Sequence, residues 1–399
     1  MRPRSYLYPQ LAAILLFSVL CTEIGDTWVV IVCTSRYWFN YRHLANALAI
    51  YKEVRAQGIS DERILLMSAL EAAMDPRNPF PGEIYSTNSA KNMINARKIA
   101  RNNANFQKNS SIIDGDVVND LGLHSFHMPG DVIVDYSGND CNVDAFLRLL
   151  TGRHPYGTAL SQQLRSGPNS RVLLYMTGHG GNEFLKFHDK EEMSAADLAI
   201  SLRQMWLQRR YKELLLIVDT CQASTLGAHL DSVPAITFIS SSALGENSFA
   251  YDTNHELGLA VVDRFTYKLQ NFMEKSRQSS VQRRGIRAAP VAASVHELVQ
   301  FMRQPTQRAF LHSTVGVQQS TGARALTRMN LADFFGAAAA DENVPPTPAY
   351  DGSECSLKEK TMSKQYCGSA ECSHALPTNR FGEYSSSFDS YVSGNLLAL

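Results

Sequence analysis

Arg171-Val172-Leu173-Leu174-Tyr175-Met176-Thr177-Gly178-His179-Gly180-Gly181 is an apolar run that stops abruptly in a glycine-rich turn carrying a histidine. Glu213-Leu214-Leu215-Leu216-Ile217-Val218-Asp219-Thr220-Cys221-Gln222-Ala223-Ser224 repeats the pattern and ends at a cysteine. Short apolar runs of this kind read as strands buried on both faces. Residues 194–209 lie between them with a helical pattern, so the unit is strand–helix–strand and its strands are parallel. The C-terminal ends of parallel strands share one sheet edge, where open α/β folds place their sites. His179 and Cys221 are therefore expected to face each other across a short gap.

The residue types suit one chemistry. A thiolate attacks an amide carbonyl while an adjacent imidazole shuttles the proton. Gly180 and Gly181 leave the peptide N–H groups after His179 unhindered, which makes the turn, at Gly180, a candidate oxyanion site. The plainer reading makes Cys221 a core thiol and His179 a turn residue. It leaves unexplained why both sit at strand ends on one edge, with a glycine pair beside one of them.

These two segments resemble GPI-transamidase catalytic subunits, a family in the legumain-like branch of the caspase-fold cysteine peptidases. The likeness continues through Cys33-Thr34-Ser35-Arg36-Tyr37-Trp38-Phe39-Asn40-Tyr41-Arg42-His43, Asp75-Pro76-Arg77-Asn78-Pro79, residues 142–153, Phe184-Leu185-Lys186-Phe187, Met205-Trp206, Arg209-Arg210-Tyr211 and Asp333-Phe334-Phe335-Gly336. It covers roughly residues 27–336 and implies an α/β fold, a caspase/legumain-like αβα sandwich around a mostly parallel sheet. The alternation of strand and helix patterns agrees. Strands are expected at residues 27–32, 63–67, 131–136 and 235–240, and helices over 41–56 and 257–273.

Residue by residue, the resemblance implies a Cys221–His179–Asn40 set, in which the Asn40 amide orients the histidine without adding a charge. Taken alone, Asn40 also reads as a cap for the helix after it. Arg42 and Asp219 match positions lining the substrate pocket of relatives, and Ser241 matches a further pocket residue. Each also has an ordinary reading: a solvated charge, a loop-holding carboxylate, a loop hydroxyl. Many relatives carry a cysteine before the Asn-Pro-Arg-Asn-Pro motif that links to a partner subunit. Met74 and Asp75 stand here instead, so that covalent link is not expected.

The chain has 399 residues, 44% of them hydrophobic, ample for a large core. Lysine plus arginine equals aspartate plus glutamate at 38 each, and the signs are mixed, which argues against nucleic acid as partner. Arg2 and Arg4 precede the apolar run 11–20 and then Cys21-Thr22, the pattern of a secretory signal over residues 1–22, with an uncleaved anchor as its alternative. The body, 23–336, is then delivered to the endoplasmic reticulum lumen, where Asn109-Ser110-Ser111 is a glycosylation acceptor. Residues 88–127 read as a long polar insertion, and 337–399 as a loosely ordered tail. Cys355, Cys367 and Cys372 lie in that tail and can pair in an oxidising lumen, whereas Cys141 reads as a core or free thiol. Asp61, Asp131 and Asp135 are the candidates for a structural cation; no cofactor is required. Many relatives carry a C-terminal membrane helix and the last residues here are too short an apolar run to supply one, so attachment through partner subunits is expected.

The implied activity is acyl transfer. Cys221 cleaves the C-terminal signal of a precursor protein, with small residues at the attachment site, and the thioester passes to the phosphoethanolamine amine of a GPI lipid. The implied partners are the other subunits of a membrane complex, the precursors and the lipid. Two alternatives are a lumenal asparaginyl endopeptidase and a non-catalytic subunit that recognises precursor tails.

Overall fold

A computed structural model describes residues 26–85, 125–127, 132–255, 257–283 and 293–336. The leader, most of the insertion with Asn109, the tail with its three cysteines, and Asp131 lie outside the described residues.

Seven strands form the main sheet: β1 (Thr27–Cys33), β2 (Ile64–Ser68), β3 (Tyr136–Ser137), β4 (Arg171–Thr177), β5 (Glu213–Asp219), β6 (Ile236–Ser240) and β7 (Gly316–Gln319). Their order is β7-β6-β5-β4-β1-β2-β3, and only the β6–β7 pairing is antiparallel. Alternate residues enter two cores. Val29, Ile31, Leu173, Tyr175, Leu215 and Ile217 face one side; Val30, Val32, Leu174, Met176, Leu216 and Val218 face the other. The apolar runs are unbroken because both faces are covered.

The first core lies under α1 (Tyr41–Ala56), and the second under α2 (Val143–Thr151) and α3 (Ala195–Leu207). Helices α4 (Arg264–Arg283) and α5 (Val295–Arg303) complete the cover of the first. The sandwich expected from the pattern is present. Ser194 starts α3 with a capping box: its hydroxyl accepts from the Asp197 N–H while the Asp197 carboxylate accepts from the Ser194 N–H. Cys33, Thr177 and Asp219 are in register across β1, β4 and β5. Three chain crossings therefore leave the sheet level with one another, and the loops after them share one edge.

Two expectations fail in detail. Only Tyr136–Ser137 pairs as a strand; ahead of it, the Asp135 carboxylate takes the Leu66 N–H (2.9 Å) that a further strand residue would have paired. Residues 259–263 do not begin a helix. They form a hairpin strand with Ala250–Asn254, and α4 starts at Arg264. Val261 and Val262 are fully buried in that strand, and β-branched side chains favour it over a helical turn.

Asp61 is taken up by the Tyr51 hydroxyl (2.5 Å) and Arg55 (3.0 Å). Among the described residues no group of three or more histidine, cysteine, aspartate or glutamate side chains converges as metal ligands. Cys141 is buried, with its thiol 3.5 Å from the Cys33 carbonyl, and burial pushes its pKa well up.

Candidate active site

His179 follows β4 and stands before the short strand Gly180–Gly181, which pairs with Phe184–Phe187. The Lys186 N–H donates to the His179 carbonyl (2.8 Å). Gly180 and Leu185 are thus a non-hydrogen-bonded pair, and the Gly180 N–H points away from its partner strand. Cys221, half-buried, follows β5 one residue after Thr220. The two corners touch. A Cβ built on Gly180 would lie 2.6 Å from Thr220 Oγ1 and 2.9 Å from the Phe184 carbonyl. An alanine at position 180 must therefore displace one corner from the other. Gly180→Ala is expected to lower kcat on the order of ten- to a hundredfold with little change in melting temperature; steady-state kinetics and a thermal melt check this.

Asn40 is buried and its side chain makes no helix cap, although it sits at the start of α1. Its Oδ1 lies 2.7 Å from His179 Nε2, and its Nδ2 donates to the Arg36 carbonyl (2.7 Å). Because Nδ2 is used on Arg36, Oδ1 is the end that meets the ring and accepts from Nε2–H. Nδ1 is left as the basic nitrogen. The edge of His43 packs against the His179 ring, with centroids 4.8 Å apart. Burial, and then the Arg42 charge, hold the His179 pKa below the ordinary histidine value, so the ring is neutral at neutral pH.

The three remaining sequence candidates lie around this core. Arg42 is partly exposed and its Nε donates to Asp263 Oδ1 (3.0 Å). Asp219 is buried and accepts from the hydroxyls of Ser248 (2.7 Å) and Thr266 (2.6 Å). Ser241 is fully buried; its hydroxyl donates to the Thr220 carbonyl and accepts from the Thr220 N–H, both at 3.1 Å. Ser241 thus holds the loop beside Cys221, Asp219 ties the end of β5 to Ser248 and Thr266, and Arg42 stays partly exposed within electrostatic reach of His179.

A sequence profile described as the peptidase C13 family matches residues 27–125 and 104–301. The chain belongs to the peptidase C13 family. This family member is 38% identical over 312 residues to a putative GPI-anchor transamidase of Drosophila melanogaster, covering 78% of this chain and 74% of that protein. It is 35% identical over 323 residues to the GPI-anchor transamidase of Schizosaccharomyces pombe, covering 80% and 72%. A caspase-1 crystal structure from Spodoptera frugiperda overlaps it with a TM-score of 0.36 at 9% identity, over 78% of this chain and 92% of that one.

The C13 chain also has a buried polar layer that sequence reading missed. Asp263 accepts from Asn46 Nδ2 (2.6 Å), its own N–H donates to Asn46 Oδ1 (3.0 Å), and His43 Nε2 lies 3.6 Å away. Asn46 Nδ2 also reaches Thr177 Oγ1 (3.2 Å), on the strand that carries His179. Burial, reinforced by Asp219 and opposed by Arg42, pushes the Asp263 pKa up to about 7. Assigning residues 257–273 to a helix hid this carboxylate: as the last residue of a strand, Asp263 would have stood out as Asp219 did.

Proposed function

We propose that this C13 family member is the catalytic subunit of a GPI transamidase, with Cys221, His179 and Asn40 as its reacting set. The observation that carries the reading is the 2.7 Å bond from His179 Nε2 to Asn40 Oδ1 at the Cys221 edge, in a chain similar to named GPI-anchor transamidases over most of its length.

In this reading His179 Nδ1 takes the Cys221 proton as sulfur attacks the carbonyl of the precursor's attachment residue. The oxyanion forms beside the Gly180 N–H. Imidazolium then protonates the leaving amine, the C–N bond breaks and the signal peptide departs, leaving a thioester. The acceptor is an amine, the phosphoethanolamine group of a GPI lipid. His179 removes its proton, the new C–N bond forms and the C–S bond breaks, so thiol and imidazole return to their starting states. Asn40 steadies the imidazolium throughout, and the scheme needs no cofactor. Arg42 is the charged group best placed to meet substrate at the cleft. The chain works within the transamidase complex at the endoplasmic reticulum, with its body in the lumen. No helix among the described residues is long and apolar enough to cross a membrane.

The reaction course is tested in microsomes carrying the full complex, a GPI-signal reporter and increasing hydrazine. Hydrazide is expected to rise with hydrazine at the expense of anchored product, with little free acid. A free-acid product insensitive to hydrazine would instead make the protein an endopeptidase. The pH dependence carries a second expectation. The lowered His179 pKa places the acid limb of kcat/KM below about pH 6.5. Arg42→Gln removes a positive neighbour, which lets the ring hold its proton more tightly, so the limb moves to higher pH. A pH–rate profile of the two proteins checks the sign.

A further inference from the structure

Tyr37 has φ 71 and ψ 159, a backbone region open to glycine and costly for any residue bearing a Cβ. Its strain has an obvious release. A half-turn of the Arg36–Tyr37 peptide returns Tyr37 to ordinary extended geometry while leaving the chain path in place. That rotation also swings the Arg36 carbonyl away from Asn40, and this carbonyl is the acceptor for Asn40 Nδ2. Several contacts oppose the release. The Arg36 guanidinium is bound to Glu71 and to Asn139 Oδ1 (2.8 Å). The Tyr37 ring meets that guanidinium (5.8 Å) and stacks on Phe39 with centroids 5.9 Å apart. The Asn40 N–H donates to the Tyr37 carbonyl (3.1 Å).

We propose that Tyr37 is a positioning residue: its peptide, anchored through Arg36 and Glu71, sets which end of the Asn40 amide meets His179. With the Arg36 carbonyl turned inward, Nδ2 is occupied and Oδ1 faces the ring. With it turned outward, nothing keeps Nδ2 in place, and a rotated amide sets donor against donor at Nε2–H. The ring then moves its proton to Nδ1, which ceases to be a base. The catalytic consequence rests on the acyl-transfer reading given above; the tautomer does not.

The test compares Tyr37→Ala, Tyr37→Gly and Tyr37→Phe. Two readouts are taken: the His179 tautomer, by heteronuclear NMR of the purified full chain with ring-labelled histidine (His179→Gln assigns the resonance), and hydrazide formation in the complex. Alanine keeps the strain and loses the ring stack, so the Nε2–H signal declines and kcat falls about tenfold with KM within about twofold. Glycine has no strain to release, so it keeps the tautomer and stays within about threefold of wild type. Phenylalanine matches wild type. Glu71→Gln, which leaves Tyr37 intact, shifts the tautomer in the same direction as alanine. A merely structural role would make glycine equal to or worse than alanine, and that ranking, or an unchanged tautomer in Tyr37→Ala, overturns the proposal. If the tautomer follows this order but wild type yields no Cys221-dependent hydrazide, the positioning stands and the acyl-transfer reading falls.

Discussion

Cys221→Ala is expected to lower reporter cleavage and hydrazide formation on the order of a thousandfold or more, to the level of microsomes lacking the protein. The sulfur is the only atom in the scheme that bonds to substrate, so nothing else in the cleft can take over its step. His179→Ala should fall nearly as far, and the double variant no further, because residues acting as one unit are not additive. Stability should barely change: Cys221 is half-buried at a loop corner, and removing its thiol leaves no large cavity. Equal melting curves with activity lost would separate chemistry from folding. Processing that continues in Cys221→Ala would fit the recognition-subunit reading instead.

Asp263→Asn is expected to flatten the pH dependence of stability and to lower activity. The carboxyl's folded pKa of about 7 lies above that of an exposed aspartate. Between about pH 4 and pH 7 the folded chain therefore binds more protons at this site than the unfolded chain. By linkage its contribution is fully present below that window and lost as pH rises through it. Over the whole window the loss is on the order of 4 kcal/mol, the lowering by Arg42 being already contained in the folded value. Asparagine cannot titrate, so the variant's stability should stay flat with pH where wild type declines. Activity should fall about tenfold, since Arg42 and Asn46 both lose their anchor. Urea unfolding across pH 4 to 8, beside kinetics at one pH, reads both effects.

The architecture was legible because the strands are buried on both faces, which writes each of them as an unbroken apolar run. Where burial alone could not decide, the reading slipped. Val261 and Val262 fit either period, and only their pairing with the Ala250–Asn254 strand fixes them. Cys221, His179 and Gly180 were visible because β4 and β5 end abruptly in unusual residues. Asn40 was visible only through resemblance; its local pattern equally suits a helix cap, and the structure shows that its side chain makes none. The layer beneath them was not legible at all. Asp263, Asn46 and Thr177 are far apart in the chain, and only the packing of α1 and the Ala250–Asn254/Leu259–Asp263 hairpin at the end of β4 brings them together. Tyr37 was noticed as part of a motif, but no sequence rule places a tyrosine in a glycine-like conformation.

The proposed chemistry turns on a thioester at Cys221 that an amine resolves. The most direct test mixes the complex with a GPI-signal reporter without acceptor lipid, quenches it in acid and maps the Cys221 peptide by mass spectrometry. The expected result is the reporter acyl group on Cys221, released as a hydrazide on adding hydrazine and absent from His179→Ala. Reporter cleaved at the wild-type rate with Cys221 never acylated would contradict it.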